Sequence, residues 1–231
     1  MAGREPGVLQ GAVVGRLHGR EAIRRAAGVL DSGGVVAIPT DTVYGLAASL
    51  SRPDALDRVY EIKGRPQDRP LPVLLAAMDY LDQVAVVPEP PMRDLLTRFW
   101  PGGLTVALPA RAGLPGQVLA PDGTVGVRVP AHPVTVALLH EAGGALAVTS
   151  ANRSGHDPGL NPQDVLTALG GQIDLLLDDG PTRGNQPSTV VGSEHGRLVL
   201  HREGVVAWPD LLRAWQGAGG KVVAPRPGTV G

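Results

Sequence analysis

Among 231 residues there is no cysteine. A disulfide framework, a thiolate nucleophile and a cysteine zinc site are therefore excluded, so any chemistry must use oxygen and nitrogen groups. Aromatic residues make up only 3% of the chain, and 21 Lys and Arg against 22 Asp and Glu leave a formal net charge of -1. Proteins that wrap nucleic acid stack bases or spread a basic field over their surface, so any anion must here be bound locally. No apolar run approaches the roughly 18 residues of a membrane span, and Met1 to Leu17 lacks the apolar stretch of a secretory signal. The chain is expected to be soluble and cytoplasmic, with no membrane partner. Missing too are G-x-x-x-x-G-K-[ST], G-x-G-x-x-G, G-x-S-x-G and H-E-x-x-H, which removes the main support for P-loop, Rossmann, hydrolase-elbow and zincin readings. The histidines, His18, His132, His140, His156, His195 and His201, include no pair four residues apart and are expected in surface or capping roles.

What the chain does have is glycine and proline, 32 and 22 residues, with 43% hydrophobic residues. That combination predicts one sizeable core built from short elements joined by sharp turns. Ala22, Ile23, Ala26, Ala27 and Leu30 recur at helical spacing over Gly19 to Asp31, and Gly33-Gly34 supplies the stop. Val35 to Ile38 is an unbroken apolar run, suited to a strand buried on both faces. Further helices are expected from Pro53 to Ile62, Pro91 to Phe99, Pro133 to Glu141 and Pro162 to about Gly170, the last capped by Asn161. Strands are expected over Leu71 to Leu75, Leu104 to Leu108, Thr124 to Val129, Ala145 to Val148 and Ile173 to Leu177. Thr189 to Val191 and Arg197 to Leu200 read as a hairpin with Gly192 to Gly196 as its loop. The alternation predicts an α/β fold, a single-domain twisted sheet mixing parallel and antiparallel strands, with helices on both faces. Residues 1–18 read as an N-terminal extension, 19–204 as the catalytic domain, and 205–231 as a short helix, Pro209 to Gln216, with a mobile tail.

Polar clusters sit at the ends of these apolar elements. Pro39-Thr40-Asp41-Thr42-Val43-Tyr44-Gly45-Leu46 leaves the carboxyl end of the first buried strand, where open α/β sheets place their ligands, though Thr and Tyr there are also ordinary turn residues. Lys63-Gly64-Arg65-Pro66 ends a helix. Its cations are either a response to the helix dipole or a stiff pair of grips for a polyphosphate. In Thr124 to Val129, Arg128 points the same way as Thr124 and Gly126, offering a bidentate site for a carboxylate. Thr149-Ser150-Ala151-Asn152-Arg153-Ser154 places five hydrogen-bonding side chains at a strand end, more than a single turn explains. Ser188 and Arg202 stand at the ends of the hairpin.

The order P-T-D-T-V-Y-G-L, K-G-R-P, F-W-P-G-G-L-T, V-G-V-R-V-P-x-H-P, T-S-A-N-R-S-G, P-S-T-V-V and R-E-G resembles the YrdC-like family, the threonylcarbamoyl-AMP synthases, over about Ala22 to Gly204. The resemblance implies a basic concave active-site face. It also implies the joining of L-threonine, bicarbonate and ATP into threonylcarbamoyl-AMP and pyrophosphate, for threonylcarbamoyladenosine in tRNA. Carried over by position, it implies Lys63 and Arg65 as catalytic groups that also bind ATP with Thr124, Thr149, Ser150, Asn152 and Arg202. Thr40, Arg128, Ser150 and Ser188 match the threonine side. Mg²⁺ is expected on the ATP phosphates, with no dedicated protein site. Weak tRNA or RNA binding and downstream threonylcarbamoyl-transfer enzymes are the implied further partners. Leu74 stands where some longer members carry His, so a polar contact to threonine is expected to be missing or replaced, and regulation by their second domain to be absent. A non-catalytic module for double-stranded RNA and a carbamoyl-transfer domain are the alternatives.

Overall fold

The chain begins its ordered alternation with a strand and a helix, β1 (Val13–Gly15) and α1 (Arg20–Asp31), followed by β2 (Val36–Ile38), β3 (Gly45–Ser49) and α2 (Pro53–Lys63). Next come β4 (Val73–Leu75), α3 (Leu81–Val84), α4 (Met92–Phe99), β5 (Leu104–Pro109), β6 (Thr124–Arg128) and α5 (Pro133–Glu141). The remainder is β7 (Ala145–Ser150), α6 (Pro162–Leu169), β8 (Leu175–Leu177), β9 (Thr189–Glu194), β10 (Arg197–Arg202) and α7 (Trp208–Gly217). This computed structural model describes residues 19–86 and 90–221 in full and the backbone of 13–15. The rest of the expected N-terminal extension, and the expected mobile tail from residue 222, lie outside the described residues.

The strands form one mixed sheet in the order β1-β8-β2-β3-β7-β4-β6-β5-β9-β10. Alternation of side chains divides its residues between two faces. Val35, Ala37, Leu46, Val73, Val106, Val127 and Leu176 join one large core with α2, α3, α4, α6 and α7. Val36, Ile38, Ala47, Leu74, Leu146 and Val148 join a second, smaller core with Ala22, Ala26 and Leu30 of α1 and with Leu138 and Leu139 of α5. Among the described residues β2, β3, β4, β7 and β8 contribute to that second core, so α1 and α5 cover half of their face and no described helix joins a core over the β6-β5-β9-β10 half. Register carries the boundary across the sheet. Leu74 pairs with Arg128 and Ala107 with Gly126, which puts Arg128 on the same face as the second core but beyond the reach of its helices.

Local signals account for most element ends. Asn161 caps α6, its Oδ1 accepting the Asp164 N–H at 2.9 Å, and Pro162 follows at the first helical position. Gly64 closes α2 in the left-handed region at φ 57°, a conformation that costs glycine little.

Four features differ from the sequence expectation. The cluster expected as a loop from Pro39 runs directly into β3, a strand that Gly45 allows because a Cβ there would lie 2.6 Å from Val148 Cγ1. The hairpin loop is shorter than expected, since β9 and β10 reach Glu194 and Arg197 and leave His195 and Gly196, at φ 51° and 76°, as a two-residue turn. Positive φ at both central residues matches the right-handed twist of the flanking strands. A strand, β1, lies inside the expected N-terminal extension and pairs in parallel with β8. The helix after Gly204 is part of the main core, with Trp215 only 1% exposed.

Candidate active site

An open cleft of about 590 Å³ straddles the seam between the two halves of the sheet, lined by the loop after β2, by Gly45 of β3, Leu74 of β4, Thr105 of β5 and Arg128 of β6, by the end of β7 and by residues flanking the hairpin. Three guanidinium groups reach it, those of Arg65, Arg128 and Arg202. Their charges act on one another: packing around Arg202, then Arg65 and Arg128, pushes its pKa below the usual arginine value. Three like charges converging in a partly dry space favour an anionic ligand.

Each arginine is held differently. Arg128 is buried, donating through Nε to the Gly102 carbonyl at 2.8 Å, through Nη1 to Thr42 Oγ1 at 3.0 Å and through Nη2 to Asp41 Oδ1 at 2.7 Å. Three of five donors are thus fixed, so the plane of the group cannot turn. Arg65, just past the end of α2, donates to the carbonyls of Arg69 at 2.8 Å and Pro70 at 3.0 Å. Arg202 stands at the exposed rim and donates to the Ser188 carbonyl at 2.7 Å and to Ser188 Oγ at 3.1 Å.

Arg202 faces the cleft because of an irregularity. Leu198 and Leu200 pack toward the large core, and plain alternation would send residue 202 the same way. The register between β9 and β10 shifts between Leu200 and Arg202, so Arg202 pairs with Val190, beside Thr105. A bulge of this kind re-aims one side chain to the opposite face.

Several residues expected in the site have other work here. Thr40 lines the cleft, but its Oγ1 accepts the N–H groups of Thr42 and Val43 and donates to the Val43 carbonyl at 2.6 Å, so it shapes the loop. Lys63 does not line the cleft and is only 3% exposed. Its ammonium donates to the carbonyls of Ser150 at 2.5 Å and Asn152 at 2.7 Å and to Asn152 Oδ1 at 3.3 Å, a complete set for a lysine. Burial and then the charge of Arg65 lower its pKa to about 7. Lys63 thus fastens the loop after β7 to the end of α2. Asn152 completes that loop by donating to the carbonyls of Arg153 and His156. Thr149, Ser150 and Ser188 do line the cleft, whereas Thr124 does not, and its hydroxyl donates to Asp122 Oδ1 at 2.7 Å.

Thr105 and Tyr44 also line the cleft, and the sequence marks them only as members of motifs. Thr105, the last residue of F-W-P-G-G-L-T, shares a 2.8 Å hydrogen bond with Ser188 Oγ. Tyr44 lines the cleft and donates its hydroxyl to the Gly180 carbonyl at 2.7 Å, with burial pushing its pKa up to about 12. Leu74 and Val148 belong both to the second core and to the cleft wall, giving it an apolar strip next to Arg128. His132, expected in a surface or capping role, stands at the N-cap position of α5 without a side-chain cap hydrogen bond. It is half-buried, its Nε2 lies 3.6 Å from Asp179 Oδ2, and its buried Nδ1 has no hydrogen-bond partner among the described residues.

Comparison with known proteins agrees with this architecture. A family model for Sua5, YciO and YrdC proteins, described as telomere recombination, matches residues 28–204. Threonylcarbamoyl-AMP synthase of Bacillus subtilis is 40% identical over 183 residues, covering 79% of this chain and 53% of that protein. The Pyrococcus abyssi protein of the same name is 37% identical over 182 residues, 79% of this chain and 54% of its own length. The chain thus spans about half the length of these curated relatives. A crystal structure of P. abyssi Sua5 complexed with L-threonine superimposes with a TM-score of 0.80 at 35% identity, covering 87% of this chain and 58% of that one. With the family model spanning residues 28–204, all three cleft arginines included, the chain belongs to the Sua5/YciO/YrdC family.

Proposed function

We propose that the chain is an L-threonylcarbamoyl-AMP synthase, a nucleotidyltransferase acting on L-threonine, bicarbonate and ATP. The convergence of Arg65, Arg128 and Arg202 on one cleft carries this reading, and the likeness to a Sua5 structure holding L-threonine supports it.

The chemistry requires two anions to meet. The threonine amine and bicarbonate give a carbamate with loss of water. A carbamate oxygen then forms a bond to the α-phosphorus of ATP, and pyrophosphate leaves with the electron pair of the broken P–O bond. Repulsion between carbamate and triphosphate is the first obstacle, and fixed guanidinium groups act on it more strongly in a partly dry cleft than in water. In this reading Arg128, immobile on Asp41, Thr42 and Gly102, pins the threonine carboxylate that does not react. Thr40, Ser150 and Ser188 flank the amino acid, and Arg65 and Arg202 grip the triphosphate. Thr149, Ser150 and Asn152 lie on the nucleotide side, with Thr124 further along β6. Lys63 acts chiefly by holding the Ser150–Asn152 loop in place. The nucleophile is already ionised, so orientation and charge carry the catalysis and no general base is needed.

Among the described residues no group of three or more His, Cys, Asp or Glu side chains could hold a metal ion. In this proposal Mg²⁺ enters as part of the ATP substrate, bound through the phosphates. No helix of the described residues is long and apolar enough to cross a membrane, which suits a cytoplasmic enzyme. Residues 19–204 form the catalytic unit in this proposal, with tRNA and threonylcarbamoyl-transfer enzymes as later partners.

The test is pyrophosphate release from ATP and bicarbonate, with and without L-threonine. Stimulation by threonine is expected. Release that ignores threonine, or no release at all, contradicts the proposal and favours a carbamoyl-transfer or RNA-binding role.

A further inference from the structure

The three cleft arginines are not equivalent in charge. Arg128 forms an ion pair with Asp41, whose Oδ1 also accepts the Ala131 N–H at 3.0 Å. Arg65 and Arg202 donate to neutral carbonyl and hydroxyl oxygens. Among the described residues neither of them forms an ion pair. Arg128 is therefore close to charge-balanced, whereas Arg202 has no paired carboxylate among the described residues and, of the carboxylates, Arg65 feels only the more distant charge of Asp68.

We propose that Asp41 is a specificity-determining residue that sorts the two substrates, fitting the Arg128 end to an amino acid and repelling polyphosphate toward Arg65 and Arg202. This rests on the synthase reading above. Asp41 does not line the cleft, so it acts through Arg128 and through its field, as a positioning residue. A triphosphate brings only negative charge and would meet the Asp41 carboxylate behind Arg128, whereas threonine brings a single carboxylate to a guanidinium already oriented for it. Without such sorting, the more highly charged ligand would occupy all three arginines and exclude the amino acid.

The test is Asp41→Asn in the full chain, assayed by pyrophosphate release, with inorganic pyrophosphate as inhibitor and its pattern determined against L-threonine. The KM for threonine is expected to rise by about tenfold, the equivalent of one charge-assisted hydrogen bond, while the KM for ATP stays within about twofold. Pyrophosphate, not competitive with threonine in the unaltered protein, becomes competitive in the variant. A loss of fold stability alone would move neither the KM ratio nor the inhibition pattern. Asp41→Glu keeps the charge on a longer arm and serves if the Asn variant does not fold: its threonine KM rises while pyrophosphate remains non-competitive. An unchanged threonine KM in the Asn variant, or competition by pyrophosphate in the Glu variant, overturns the proposal. Failure of the unaltered protein to respond to threonine overturns the synthase reading instead, so the two failures are separable.

Discussion

One face of the sheet is built in two halves that obey the same alternation and end in opposite environments. Under α1 and α5 the inward positions are Val36, Ile38, Leu146 and Val148, a continuous apolar surface. Across the Leu74–Arg128 pair the equivalent positions become Thr105, Gly126, Arg128 and, by way of the bulge, Arg202, and no helix of the described residues lies over them. The covered half contributes stability and the bare half contributes chemistry. A ligand site is therefore available without opening the core, because binding fills a place that packing never filled.

This division can be broken or sharpened by substitution. The largest effect is expected for Arg202→Ala, which removes a cleft charge whose side-chain hydrogen bonds, among the described residues, all go to Ser188. Turnover should fall by about 100-fold, with a thermal midpoint close to that of the unaltered protein. A variant that unfolds instead would show that the bare half also carries the fold. The converse change, Leu146→Ala in the covered half, should cost about 3 kcal/mol in denaturant unfolding and leave the KM values of the folded fraction unchanged. At the seam, Gly45→Ala must push its new methyl against Val148, and a loss of about 1–2 kcal/mol with a modest rise in threonine KM is expected. A separate effect concerns pH. Lys63 has its pKa lowered from 10.5 to about 7. The folded chain therefore releases a proton that the unfolded chain keeps until about pH 10, and stability attributable to Lys63 should rise with pH over that interval. Lys63→Met should abolish that rise when unfolding curves are compared from pH 7 to 10, and an identical slope in both proteins would contradict the burial of its charge.

The sequence showed a good part of this in outline. Val35 to Ile38, the helix from Pro53 and the Asn161 cap were legible because they rest on local physics, an apolar run, a proline and a side-chain oxygen. Arg128 was legible as the one guanidinium in an alternating strand. What was not legible depends on distant parts of the chain. Lys63 at a helix end reads as a response to the helix dipole or as a phosphate grip, and it is the return of Ser150 and Asn152 through β7 that turns it inward. The direction of Arg202 hinges on a register shift that no spacing of Leu198 and Leu200 announces. β3 was hidden because Gly45 to Ser49 is small and weakly patterned, and its strand character comes from pairing with β2 and β7 on either side.

The most direct measurement is a crystal structure with L-threonine and a non-hydrolysable ATP analogue bound together. The threonine carboxylate should lie within hydrogen-bond distance of Arg128, with the phosphates on Arg65 and Arg202. Phosphates on Arg128, or either ligand seated away from the bare half of the sheet, would contradict the account.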